Sequence, residues 1–213
     1  VRNVDAGLLS AVTMGERRGI QKWLDRGASL HAVNKRGESG LMLCSNIETL
    51  GWLISEGVAI DARDNEGSTA LSQAPVYKNP QIVRFLLDHG ADVHVRDNDG
   101  STPLMGAAWP WPYDTEAVET FSLLLDSGID VNAVDQQGKT ALIHLLEDDQ
   151  YDGKRDTMAT FPHREAAYEE IVRLLQAYKA ETGIVDSGGN TALSFSVLRG
   201  LHDVVTLLKQ QAR

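Results

Sequence analysis

The phrase Gly-Ser-Thr-Ala-Leu at 67–71 returns as Gly-Ser-Thr-Pro-Leu at 100–104, Gly-Lys-Thr-Ala-Leu at 138–142 and Gly-Asn-Thr-Ala-Leu at 189–193. A weaker copy, Gly-Glu-Ser-Gly-Leu, stands at 37–41. A second phrase alternates with the first. It reads Leu86-Leu87-Asp88-His89-Gly90-Ala91-Asp92-Val93 and again Leu124-Leu125-Asp126-Ser127-Gly128-Ile129-Asp130-Val131. Shorter versions are Trp23-Leu24-Asp25-Arg26-Gly27-Ala28 and Leu53-Ile54-Ser55-Glu56-Gly57-Val58. Successive copies of the first phrase, from Gly37 through Gly67, Gly100 and Gly138 to Gly189, are 30, 33, 38 and 51 residues apart. Two phrases recurring in fixed order at such a period mean one small unit built several times and stacked.

Each unit can be read locally. Asp64, Asp97, Asp135 and Asp186 each precede a Gly by three. That is turn chemistry, in which the carboxylate accepts nearby backbone N–H groups and Gly takes a positive φ. Thr69, Thr102, Thr140 and Thr191 follow where a helix N-cap belongs, and Pro103 occupies a first helical position that needs no N–H. Ile82, Val83, Leu86 and Leu87 form one apolar stripe on a second helix, which Gly90 stops. A unit of turn, helix, loop and helix cannot bury its stripe alone.

The pairing of Asp-x-x-Gly-x-Thr-(Pro/Ala)-Leu with Leu-Leu-x-x-Gly-Ala-Asp resembles the ankyrin repeat family over nearly the whole chain. The resemblance implies an all-α, curved solenoid of stacked helix-turn-helix units with β-turn or hairpin fingers along one edge. It divides residues 1–213 into repeats of about 1–33, 34–63, 64–96, 97–134, 135–185 and 186–213, the first and last acting as caps. Residues 1–33 lack the Gly-x-Thr opening, and the tail Lys209 to Arg213 is polar, as a capping helix facing water requires. The family's His after Thr-Pro-Leu is here Met42, Ser72, Met105, Ile143 or Ser194. A missing or replaced hydrogen-bond network is therefore expected, with stability lower by a few kcal/mol in total.

Unequal spacing locates the irregularities. The 37–67 unit is three residues short between Ser45 and Thr49. The 100–138 unit has five extra residues near 109–115, around Trp109-Pro110-Trp111-Pro112-Tyr113, and the 138–189 unit has eighteen within 147–165. Both insertions are expected on one edge of neighbouring units, a common position for a binding face. Lys179 replaces the helix-stopping Gly, so the helix before it is expected to overrun or end raggedly near Tyr178.

Composition excludes several functions. With 20 Lys+Arg against 30 Asp+Glu, the net charge of −10 does not suit a phosphate-backbone partner, so no nucleic acid is expected. No apolar run approaches a membrane span of roughly 18 residues. The single cysteine, Cys44, allows no internal disulfide and reads as an inert core thiol. Asp148 to Gly153 imitates a calcium loop, but the twelfth position holds Ala159 instead of a bidentate Glu. His89, Asp92 and His94 read as solvated turn residues. No nucleophile elbow, phosphate loop or dinucleotide fingerprint occurs. No catalysis, metal or cofactor is expected. The chain begins at Val1, which fits either a removed export signal or a trimmed start, so the compartment is left open.

In ankyrin arrays the finger tips and the solvent side of each first helix hold protein partners. Carried over by register, these positions are Glu66, Arg96, Asp99, Gln136 and Lys139 on the fingers, and Tyr77, Trp109, Glu147 and Asp148 on the helix ends. Trp111, Tyr113 and Asp149 extend the set. Aromatics ringed by carboxylates suit a protein partner with a basic or apolar contact surface. The expected function is a non-catalytic scaffold, monomeric when free, that inhibits, sequesters or regulates its partner. Two alternatives are a bacterial self-protection inhibitor of a partner enzyme and an architectural or self-associating element.

Overall fold

The computed structural model describes residues 3–75, 79–108, 115–147 and 164–211. Twelve helices among these fall into six antiparallel-order pairs along the chain. They are α1 (Asn3–Thr13) with α2 (Arg17–Leu24), α3 (Gly40–Leu43) with α4 (Ile47–Ser55), and α5 (Ala70–Gln73) with α6 (Pro80–Asp88). Then come α7 (Pro103–Ala107) with α8 (Thr115–Asp126), α9 (Ala141–Glu147) with α10 (Arg164–Ala177), and α11 (Ala192–Leu198) with α12 (His202–Gln211). First helices form an inner row in which α1 packs on α3, α3 on α5, α5 on α7, α7 on α9 and α9 on α11. Second helices form an outer row, with α6 on α8, α8 on α10 and α10 on α12. This is the all-α solenoid that the repeat requires.

The core is one continuous seam between the rows. Leu8, Leu50, Leu71, Leu86, Leu104, Phe121, Leu142 and Ile171 are each fully or almost fully buried, in unit after unit. Each such side chain contributes roughly 1.5–3 kcal/mol by leaving water. Where the outer row comes closest, Phe85 lies 3.4 Å from where a Cβ on Gly51 would stand.

Caps set the helix starts. The Thr69, Thr102, Thr140 and Thr191 hydroxyls accept the backbone N–H three residues on, at 3.2–3.4 Å. The position that holds His in the family works locally here. The Ser72 and Ser194 hydroxyls accept the N–H of the capping threonine at 2.8 and 2.9 Å and donate to its carbonyl at 3.0 and 2.8 Å. Met42 and Met105 accept the equivalent N–H with sulfur at 3.4 Å. In these four units the missing network is thus replaced by bonds inside the unit, and Ile143 is the exception.

One expectation is corrected. α10 ends at Ala177 without overrun, because Lys179 itself takes the left-handed conformation (φ 65). Its N–H donates to the Gln176 carbonyl at 2.9 Å, and the Ala180 N–H reaches Leu175 at 3.0 Å. The same closure ends α6 at Gly90, whose φ is 83 and where an added Cβ would meet nothing within 4 Å. Backbone angle, not space, selects glycine there, so a lysine can serve at a conformational cost of about 1–2 kcal/mol. Replacing Lys179→Gly is expected to raise the unfolding free energy by about 0.5–1 kcal/mol in urea titration, because the relief of strain is partly offset by backbone entropy. No gain would mean that the left-handed turn carries no strain.

Candidate protein-interaction face

The fingers are built from their aspartates. Asp64 Oδ1 accepts the N–H of Glu66 and of Ser68, both at 2.9 Å. Asp97, Asp135 and Asp186 repeat the pattern at 2.8–3.0 Å. In the first finger Asn34 substitutes, accepting from Arg36 at 2.8 Å and from Glu38 at 3.1 Å. Successive fingers are then joined tip to tip. The N–H of Asn65 donates to Arg36, Asn98 to Glu66, Gln136 to Asp99 and Ser187 to Gln137, all at 2.8–2.9 Å to carbonyl oxygens.

Side chains reinforce the ladder. The amides of Asn65, Asn98 and Gln136 donate to the carbonyls of Lys35, Asn65 and Asn98 at 3.1, 3.0 and 2.7 Å. Arg63 donates to the Arg96 carbonyl at 2.7 Å, and Arg96 in turn to the Val134 carbonyl at 2.8 Å. Of the residues the sequence assigns to partner binding, Arg96 and Gln136 are therefore committed to stacking the fingers. Glu66 and Asp99 present exposed, unpaired carboxylates at adjacent tips.

The inner helices continue the face. Four residues after each capping threonine stand Gln73, Gly106, His144 and Phe195. Gln73 donates to Asp64 Oδ2 at 2.9 Å, and His144 Nε2 lies 2.7 Å from Asp135 Oδ2, so each ties its helix to its finger. Seven residues after the threonine stand Val76, Trp109, Glu147 and Leu198. Glu147 Oε1 accepts from Lys139 Nζ at 2.6 Å, a half-buried ion pair that holds both side chains against the face. Tyr77, Trp109, Trp111, Tyr113, Asp148 and Asp149 lie outside the described residues.

Three features of this face escape the sequence reading. Lys35 and Arg36 form an exposed basic tip on the first finger, signalled only by Asn34 standing three before Gly37. Leu198, 77% exposed, occupies the same register as Trp109 and Glu147 on the neighbouring helix. Val197, next in the chain, and Val185, just before the last finger's aspartate, are 57% and 53% exposed. A polar last helix is found in α12, but α11 leaves the end of the row apolar. Arg199 crosses back to donate to the Leu146 carbonyl at 3.4 Å and lies 5.2 Å over the Tyr168 ring.

Among the described residues no three His, Cys, Asp or Glu side chains converge as metal ligands. Cys44 is buried behind α3, and that burial pushes its thiol up, away from the reactive thiolate. Among the described residues no helix is long and apolar enough to cross a membrane.

The ladder of fingers and double row of helices meet their match in known proteins. Ankyrin repeats (three copies) match residues 8–97 and 41–135. The chain belongs to the ankyrin repeat family. A crystal structure of an ankyrin repeat domain from Acinetobacter baumannii AYE superposes with a TM-score of 0.72 at 28% identity. The match covers 94% of this chain and 95% of that one. No curated protein matches. Ankyrin repeats are generally non-catalytic protein–protein interaction modules, and the face described above is the part of such a module left free by its stacking.

The ankyrin fingers also predict an acid response. Asn190 N–H, Gly188 N–H and the nearby Lys139 hold the Asp186 carboxyl below its usual range, against the opposing effect of burial. A lowered native pKa stabilises above the unfolded value of about 3.9, and the contribution fades as pH falls through the lower native value. Asp186→Asn should therefore be less stable than the parent at pH 6, with the gap in urea midpoint narrowing as pH falls below about 4. A gap that stays constant would show that the charge of Asp186 is not used.

Proposed function

We propose that this chain is a dedicated protein-binding scaffold that holds one folded partner on its concave finger face and thereby inhibits, sequesters or regulates it. The observation that carries this reading is the division of labour along the fingers. Arg63, Arg96, Asn65, Asn98 and Gln136 spend their polar groups on stacking, while Glu66 and Asp99 keep theirs for something else. Beyond them the face turns apolar at Val197 and Leu198, and in the sequence Trp109 stands seven residues after its capping threonine, as Glu147 and Leu198 do after theirs.

Rigid aromatic and aliphatic anchors within a charged rim are what makes an interface specific, because anchors supply affinity and the rim steers encounter. The partner's complementary surface is a basic rim around an apolar centre. Binding in this mode requires no reaction, cofactor or metal. Protection of a producing cell from a partner enzyme is one use of such a scaffold.

The test is quantitative affinity capture from the cells that make the protein. One partner should be enriched by the parent chain and lost with Trp109→Ala/Trp111→Ala. Its capture should fall at least tenfold with Glu66→Lys/Asp99→Lys, and this second loss should shrink as salt is raised. Equal capture by the parent and both variants would place the binding surface elsewhere.

A further inference from the structure

The charge of the chain is divided along its axis. Residues 1–36 carry seven basic side chains against three acidic ones, a net of +4, which leaves −14 on residues 37–213 of a chain whose total is −10. The basic excess is concentrated on α2. Arg18 and Lys22, four residues apart, share the exposed side of that helix, opposite buried Ile20. Their neighbours are already engaged, since Arg17 lies over the Trp52 ring at 5.7 Å and Arg26 over Trp23 at 5.1 Å. Of the carboxylates beside this helix, Asp25 accepts from Gln21 at 2.8 Å, and Glu16 lies against Gly19. No carboxylate of the described residues pairs with Arg18 or Lys22.

An opposite surface lies on the same molecule. Asp88 and Asp126 are the last residues of α6 and α8, which pack side by side, and Asp92 and Asp130 follow in the adjoining turns. All four are exposed, and among the described residues none has a cationic partner; Asp126 accepts from the Tyr178 hydroxyl. Two of them stand where a helix macrodipole already places negative potential, at a local cost of about 0.3–1 kcal/mol each. Such carboxylates gain most from cations that arrive from outside.

We infer that the exposed face of α2 docks a second copy of this chain, Arg18 and Lys22 of one molecule seating on the Asp88, Asp92, Asp126 and Asp130 ridge of the next. The two surfaces differ, so the contact is heterologous, running head to tail, and leaves a free α2 at one end and a free ridge at the other. The geometry is compatible. A cation pair one helical turn apart spans about 6 Å, and neighbouring outer helices that carry the ridge stand about 8–10 Å apart. The second copy is favoured over other anionic occupants because the complementary charge is present at the same concentration in every solution of the protein. The contact is electrostatic, hence weak in salt and steeply dependent on concentration. It uses the convex side and leaves the finger face free, so it stands or falls independently of the proposed function.

Sedimentation velocity of the full chain tests it. At about 20 mM salt the weight-average sedimentation coefficient should rise as protein is raised from about 5 to 200 µM, and the rise should vanish at about 0.5 M salt. Arg18→Glu/Lys22→Glu should remove it, as should Asp88→Lys/Asp92→Lys. The chain carrying all four changes should recover it, because attraction is restored with both signs exchanged. Leu198→Asp should leave it untouched. A flat coefficient in the parent at low salt, association that survives the α2 reversal, or failure of the fourfold chain to recover while remaining folded by circular dichroism would each overturn the inference.

Discussion

The fold rests on one kind of bond, the amide of one finger donating to a carbonyl of the finger before it. Asn65 to Arg36, Asn98 to Glu66, Gln136 to Asp99 and Ser187 to Gln137 make that bond at 2.8–2.9 Å in four successive steps. It forms only if each finger has been folded into a rigid loop beforehand, and the Asp-x-x-Gly aspartate does this by collecting two backbone N–H groups within its own loop. Once the fingers are aligned, the capped helices behind them fall into register. A leucine at each inner position is then covered by the next unit. No unit has a core of its own, so local loop chemistry and long-range packing support each other.

This arrangement explains why function sits where it does. A repeat that secures its neighbours through backbone groups and a fixed set of side chains leaves other tip positions without structural duty. Glu66 and Asp99 are such positions, and so is Lys35 on the first finger, whereas Arg36 lies 3.6 Å from the buried Glu38 carboxylate. Arg96 and Gln136 are not, although they look equally exposed along the sequence. Inner-helix positions divide in the same way. Gln73 and His144 brace their fingers and Phe195 packs partly buried against the core, whereas Leu198 has no such role and remains open to a partner. The outer row has its own surface, with cations at one end and carboxylates along the middle, so the two sides of the solenoid can serve different contacts.

Most of the architecture was legible because its signals are local and repeated. Turn aspartates, capping threonines and terminal glycines each act within about four residues, so four copies of a phrase locate four loops and four helix starts. What the sequence hid was either a non-local bond or a substitution within the pattern. Nothing near Arg96 says that its guanidinium reaches the Val134 carbonyl, 38 residues on. Lys179 reads as a defect because lysine rarely adopts positive φ, yet the closing bonds at Gln176 and Leu175 are strong enough to hold it there. The apolar end at Val197 follows from geometry as well. The same register is covered at Leu146 by the next helix pair, and at the last pair it is left exposed.

The most direct measurement is amide hydrogen exchange, residue by residue, at the finger tips. The account predicts that the N–H groups of Asn98 and Gln136 exchange as slowly as those in the middle of α8, although both residues are exposed. Their protection should report opening of the array and not of a loop. Exchange at the free-loop rate while α8 stays protected would mean that the fingers are ornaments on an independently stable helical stack, and would contradict the account.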